Sequence, residues 1–227
     1  SLLALIQAGY SSELLFTWAV EAINGVHNWS LSRRDGNRSG TADPEFIEYV
    51  GLMQELQVLG AMGFELRNDD DGRHSVIFRL TKEGVSESTR QKARRAGEII
   101  GLDPGQDKFR VIYAPFKTDS VTLSIQTRSV IQMLSAMAGF IDVPAELTAH
   151  ATPGYDVSNV SQRPFRVRTG KERPEESFAQ VKYQDYWYWI DNTDITSKRV
   201  FTLMLFITTL TNQANDANAP VLTIPTQ

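Results

Sequence analysis

The 227-residue sequence contains no cysteine. Disulfides, thiolate metal sites and cysteine nucleophiles are therefore excluded at once. The compartment is not fixed by this, because many periplasmic proteins also lack cysteine. Histidine is scarce as well: His27, His74 and His150 fall in three separate segments, none beside a second ligand-type residue at metal spacing. Positive charge is not in excess, with 23 Lys and Arg against 27 Asp and Glu, a net charge of −4 and a pI near 5.5. Nothing global draws the chain to nucleic acid or acidic membranes. Long apolar runs are missing too. The longest, Val200 to Ile207, is broken by Thr202 and falls far short of the ~20 residues of a membrane span. No G-x-S-x-G, phosphate loop, dinucleotide fingerprint or H-E-x-x-H occurs, and "NDDDG" (68–72) lacks the distal Glu of a calcium loop. No metal or cofactor is expected.

What is present is an ordinary globular composition, 41% hydrophobic and 22% charged, long enough for one large domain or two small ones. "SSELLFTWAVEAINGV" (11–26) carries apolar residues at helical spacing and predicts a helix. Asp43-Pro44 opens a second helix, expected to run to about Met62. Strands at 64–68 and 75–80 flank an Asp-Gly turn, and a helix over 85–100 follows with Val85, Thr89, Ala93, Ala96 and Ile100 on one stripe. Strands 108–116 and 120–127 read as a second hairpin. The segment "SVIQMLSAMAGF" (129–140) reads as a well-buried helix. Residues 142–163 read as an extended loop, 196–212 as a helix apolar nearly all round, and "APVLTIPTQ" as a last short strand. Hairpins interleaved with helices define an α+β class with a buried C-terminal helix. A division near 101–107 would give a helical unit with a hairpin (1–104) and a sheet-plus-helix unit (105–227), unless the domain is continuous.

The densest aromatic stretch is "QVKYQDYWYWIDNTD" (180–194). Folded as a hairpin about Gln184-Asp185, it sets Ala179, Val181, Tyr183, Tyr186, Tyr188 and Ile190 on one face. Phe178, Gln180, Lys182, Trp187, Trp189 and Asp191 share the other. The first reads as a core face. On the second, Lys182 beside Trp187 suits a cation–π contact, and both tryptophans are expected to be covered by the 196–212 helix. Asp191 and Asp194 read better as strand end and helix cap than as an acid/base pair.

Basic residues gather at Arg163, Arg166, Arg168, Lys171 and Arg173, with Lys198 and Arg199 in the first turn of a helix. Cations there oppose the helix dipole, so Asp191 and Asp194 are expected as partners; Arg128, just before its own helix, poses the same question. The bland reading is a set of paired charges. The sharper one is a small anionic pocket under the tryptophan face. A winged-helix rhythm runs through residues 49–84, but its reading helix carries Glu48 and Glu55 and its wing tip is Asp69-Asp70-Asp71. Acids there repel phosphate.

Three stretches, "GYSSELLFTWAVEAINGVHN", "TRSVIQMLSAMAGFIDVPAE" and "KERPEESFAQVKYQDYWYWIDNTDITSKRVFTLMLFITTL", resemble a family of uncharacterised bacterial proteins described as lipoproteins or exported proteins of unknown function. The resemblance implies a bacterial source and an envelope location, with a lipid anchor or signal upstream of Ser1, but no catalytic residue. The first expectation is a non-enzymatic protein that binds another protein or itself, with nucleic acid disfavoured. The alternatives are a regulator with a degenerate winged-helix module and a small-molecule binder or hydrolase using Arg128, Arg173 and Asp191. Candidate ligand or partner residues are Arg128, Lys171, Arg173, Lys182, Trp187, Trp189, Asp191, Asp194 and Lys198.

Overall fold

The structure, a computed structural model, describes residues 5–6, 9–29, 42–68, 74–81, 83–144, 146–147 and 164–216. The turn expected at 69–72, most of the 142–163 loop and the expected last strand lie outside them. The fold is α+β, and it divides into two compact units, Ser1–Ser129 and Val130–Gln227.

In the first unit, helix α1 (Ser12–Ala19) is followed by strands β1 (Val20–Ile23) and β2 (Val26–His27), helix α2 (Pro44–Val58), strands β3 (Met62–Asn68) and β4 (His74–Leu80), helix α3 (Glu87–Ile99), and strands β5 (Lys108–Tyr113) and β6 (Thr122–Thr127). They form a six-stranded sheet in the order β2-β1-β6-β5-β4-β3. A division at 101–107 would cut β5 from β4, its antiparallel neighbour in that sheet.

Two sequence expectations are corrected here. The helix expected over 11–26 stops at Ala19, because Asn24 (φ 47°) and Gly25 (φ 83°) make a two-residue turn that folds 20–27 into a hairpin. Val20, Ile23 and Val26 are β-branched; pairing of β1 with β6 holds Val20 and Ile23 extended, and Val26 pairs with Ile23 across the turn. Strands β5 and β6 are not a hairpin: they run parallel, Arg110 beside Thr122 and Tyr113 beside Ile125. β6 is held on its other side by β1, which fixes its direction.

Helix α2 also ends early. Gly60 takes φ 67°, its N–H donates to the Gln57 carbonyl, and the Ala61 N–H reaches back to Leu56 at 2.8 Å. That Schellman turn releases Met62 into β3. Phe64, Phe78 and Phe109 stand opposite one another on three neighbouring strands and are all buried. Phe16 of α1 packs edge-on against Phe64 at 6.4 Å. Of the expected stripe, Thr89, Ala93 and Ala96 on α3 and Ile100 at its C-terminal cap are buried, while Val85 lies just before the helix and is half-buried. The hairpin read as a wing is the outer pair of this sheet. Glu48 and Glu55 of α2 are engaged in ion pairs with α3: Glu48 accepts from the Arg95 guanidinium at 2.7 and 2.8 Å, and Glu55 meets Lys92.

The second unit holds helix α4 (Val130–Ala138), strands β7 (Arg168–Gly170), β8 (Ala179–Tyr183) and β9 (Tyr186–Ile190), and helix α5 (Ile195–Asp216). The strands form a sheet in the order β7-β9-β8, antiparallel throughout. α4 buries Met133, Ala136 and Met137 but leaves Ile131 75% and Leu134 48% exposed, so its expected burial holds on one side only. α5 likewise buries Ser197, Val200, Leu203, Met204 and Ile207 at helical spacing, while Leu205 is exposed.

Candidate binding site

The aromatic hairpin adopts the register read from sequence. Tyr183 faces Tyr186 across Gln184-Asp185, Lys182 faces Trp187, Val181 faces Tyr188, and Ala179 faces Ile190. Gln184 holds φ 52°, which tightens the turn without glycine.

The two faces behave differently from expectation. The face read as core is closed only at one end. Ile190 is buried, but Val181 is 59% and Tyr183 62% exposed. Over this face lies an open groove of about 560 Å³, walled by Leu134 and Met137 of α4, Phe165, Val181 and Tyr188 of the sheet side, and Phe201 of α5. Its lining contains no Asp, Glu, His, Lys or Arg; Gln180, the phenols of Tyr183 and Tyr188 and the Trp189 indole, which reaches its edge, are the side chains with polar groups. Periodicity had placed these side chains together, but could not say that nothing among the described residues would close over them.

On the opposite face Trp187 and Trp189 are half-buried, and the groups described against them come from around β7. The Arg173 guanidinium lies over Trp187 at 5.4 Å, so the cation expected from Lys182 is supplied by Arg173. A Cβ on Gly170 would stand 3.3 Å from the Trp189 ring, which shows how closely that indole lies on the β7 backbone. The ring contact of α5 is made instead by Phe201 with Phe178, at 6.2 Å.

Three of the basic residues of this unit meet acids. Arg166 pairs with Asp142, Arg168 with Asp191, and Lys171 with Glu146, over whose neighbour Tyr186 it also sits. Hydrogen bonds from the Thr193 hydroxyl and N–H, with Arg168 adding to them, hold the Asp191 carboxyl below its usual range. Asp194 caps α5: it accepts from the Ser197 N–H at 3.0 Å and the Ser197 hydroxyl at 2.7 Å, and that hydroxyl accepts the Arg166 N–H. Lys198 finds neither acid. Its ammonium donates to the carbonyl and side-chain oxygen of Asn192 and lies over Phe178.

Arg128 belongs to the first unit and is 93% withdrawn from solvent (7% exposed), engaged with backbone carbonyls and an indole. Its guanidinium donates to the carbonyls of Thr17 and Trp18 and closely to that of Trp29, and stacks on the Trp29 indole at 4.0 Å. Its own N–H takes the Ala19 carbonyl, and Asn28 Nδ2 takes Thr17 and Val20. Arg128 and Asn28 thus assemble the C-terminal cap of α1, where a cation also favours the dipole. The anionic pocket imagined between Arg128 and Arg173 therefore has no support at Arg128, whose donors are spent on the helix end.

Among the described residues no group of acids and histidines is placed to hold a metal, and no helix is long and apolar enough to cross a membrane.

No protein-family model matches the chain, and no solved structure matches it. A stretch of 114 residues is 26% identical to the cysteine desulfurase IscS of Azotobacter vinelandii, covering 49% of this chain and 27% of that enzyme. The chain thus spans about a quarter of the length of that relative, a likeness that names no family for it.

Proposed function

We propose that this is a binding protein of the bacterial cell envelope whose second unit holds an apolar segment of another protein. The observation that carries the reading is the open groove between α4, α5 and the aromatic hairpin, largely apolar, free of charged side chains and bordered by an edge strand. Exposed apolar surface of this kind is a mark of an interaction site. The groove lining offers an amide, an indole and two phenols but no carboxylate, imidazole or amine, the commonest general acids and bases. That favours binding over hydrolysis there. The envelope location rests on the resemblance of the three sequence stretches.

The test is a panel of extended peptides with apolar residues at alternate positions, titrated against the full chain by calorimetry. Val181→Asp and Leu134→Asp each put a carboxylate on the groove wall and are expected to weaken the best peptide at least about tenfold, 1.4 kcal/mol. Peptide binding that both variants leave unchanged, with circular dichroism intact, would remove the groove from the account.

A further inference from the structure

We propose that the partner is a second copy of this chain, paired edge to edge and antiparallel through β8, so that two three-stranded sheets join into one. This rests on the binding reading above and names its occupant.

β8 is the outer strand of its sheet, and among the described residues nothing pairs with its free side. In a hairpin closed by a two-residue turn, the pair flanking the turn is hydrogen-bonded. Tyr183 and Val181 therefore direct their backbone groups at β9, while Gln180 and Lys182 direct theirs outward. The strand is short and carries one lysine, but it lacks the other usual guards of an edge. It contains no proline, and its pairing with β9 runs unbroken from Ala179 to Tyr183. Lys182 is its one charge.

That charge selects the register. An antiparallel pairing of outward residues with outward residues can be centred on Gln180, Val181 or Lys182. Centring on Lys182 sets two ammonium groups directly opposite each other, which destabilises a pair. Centring on Gln180 sets Lys182 against Phe178 and leaves Tyr183 beyond the end of the partner strand. Centring on Val181 pairs every residue of β8. Gln180 then meets Lys182 of the second copy, an amide oxygen beside an ammonium. Ala179 meets Tyr183, the smallest side chain against the largest, and Val181 meets Val181. The arrangement is its own mate under a twofold axis, as an isologous dimer requires. About four main-chain hydrogen bonds form, from the outward groups of Gln180 and Lys182 on each copy. Val181 and Tyr183 of each copy, both more than half exposed in the single chain, cover the open side of the other's groove.

The absence of cysteine makes a direct test available. Val181→Cys is then the sole thiol in the chain. On the axis, residue 181 forms a non-hydrogen-bonded pair with itself, at a separation a disulfide can span. Mild oxidation of the full chain should give a covalent dimer on the order of tenfold faster than Ile131→Cys, a control at a more exposed position, because pairing raises the effective concentration. In parallel, the sedimentation mass of the wild type should rise toward twice the monomer with concentration. Lys182→Pro and Gln180→Pro should each hold it at one, since they remove an outward N–H and spare the β8–β9 ladder. Circular dichroism confirms that at least one of these folds. A monomeric mass at every concentration, with Val181→Cys oxidising no faster than the control, overturns the proposal. So does a dimer that ignores both proline variants. If the chain is monomeric yet binds peptides in a Val181-dependent way, the second copy fails as occupant and the binding reading stands.

Discussion

Replacing Arg128 by leucine should unfold the first unit far more readily than replacing Arg173 by leucine disturbs the second. The side chain of Arg128 supplies hydrogen bonds to three backbone carbonyls, those of Thr17, Trp18 and Trp29, and a stacking contact with the Trp29 indole. Leucine fills part of the volume and supplies no donor. Thr17 keeps the Asn28 amide, but Trp18 and Trp29 lose the guanidinium. At ~1–3 kcal/mol for each buried acceptor deprived of its donor, and ~0.5–2 for the stacked cation, the loss comes to about 3 kcal/mol or more. That is a large part of the ~5–15 kcal/mol by which a domain is stable. Arg173 is exposed and lies over the Trp187 face, so its loss should stay within about 1 kcal/mol. Lysine at 128 has one compact ammonium in place of a planar fork and should recover less than half of the difference. Urea unfolding followed by far-ultraviolet circular dichroism and tryptophan emission measures both changes, with probes in each unit at Trp18 and Trp29 and at Trp187 and Trp189. An Arg128→Leu variant within about 1 kcal/mol of wild type would refute the capping role.

Two further substitutions test other parts of the structure. Tyr49 is fully buried, its hydroxyl has no hydrogen-bond partner among the described residues, and burial pushes its phenol well above the usual range. A raised pKa means stability that is present below the unfolded value near 10 and lost as pH climbs past it. Tyr49→Phe should therefore match or exceed wild-type stability at neutral pH and flatten the loss above about pH 10, as read from thermal melts across alkaline buffers. Asp194→Ala removes the α5 cap and the acceptor of the buried Ser197 hydroxyl, and should lower stability by about 1–2 kcal/mol in chemical denaturation, with Asp194→Asn recovering most of it.

Much of the fold was legible because its elements carry local signals. Asp43-Pro44 at a helix start, the small-residue stripe of α3 and the period-two alternation of the aromatic hairpin each state their structure within a few residues, and the hairpin register follows from them. The misreadings share a physical cause, in that a distant partner decides the outcome. "TWAVEAING" has helical spacing, yet Asn24 accepts from the Ser124 N–H at 2.7 Å and donates to the Ile100 carbonyl at 2.8 Å, and those long-range bonds hold the hairpin. The Asn-Gly pair was the available sign. The direction of β6 is set by β1, a hundred residues earlier in the chain, so two adjacent strands looked like a hairpin and are parallel. At the site, composition places Val181, Tyr183 and Tyr188 on one apolar face, but whether such a face is closed depends on what packs against it. Arg128 was a fair candidate as a charge beside a helix, and only the fold shows carbonyls of α1 waiting for it.

The central claim is that β8 presents an open edge beside an apolar groove, completed by another chain. Residue-resolved amide hydrogen exchange across a range of protein concentrations tests it most directly. The account predicts that Val181 and Tyr183, which point at β9, stay protected throughout, while Gln180 and Lys182 exchange freely in dilute protein and become protected as concentration rises. Gln180 and Lys182 amides equally slow at every concentration would contradict it, because the edge would then be covered within a single chain.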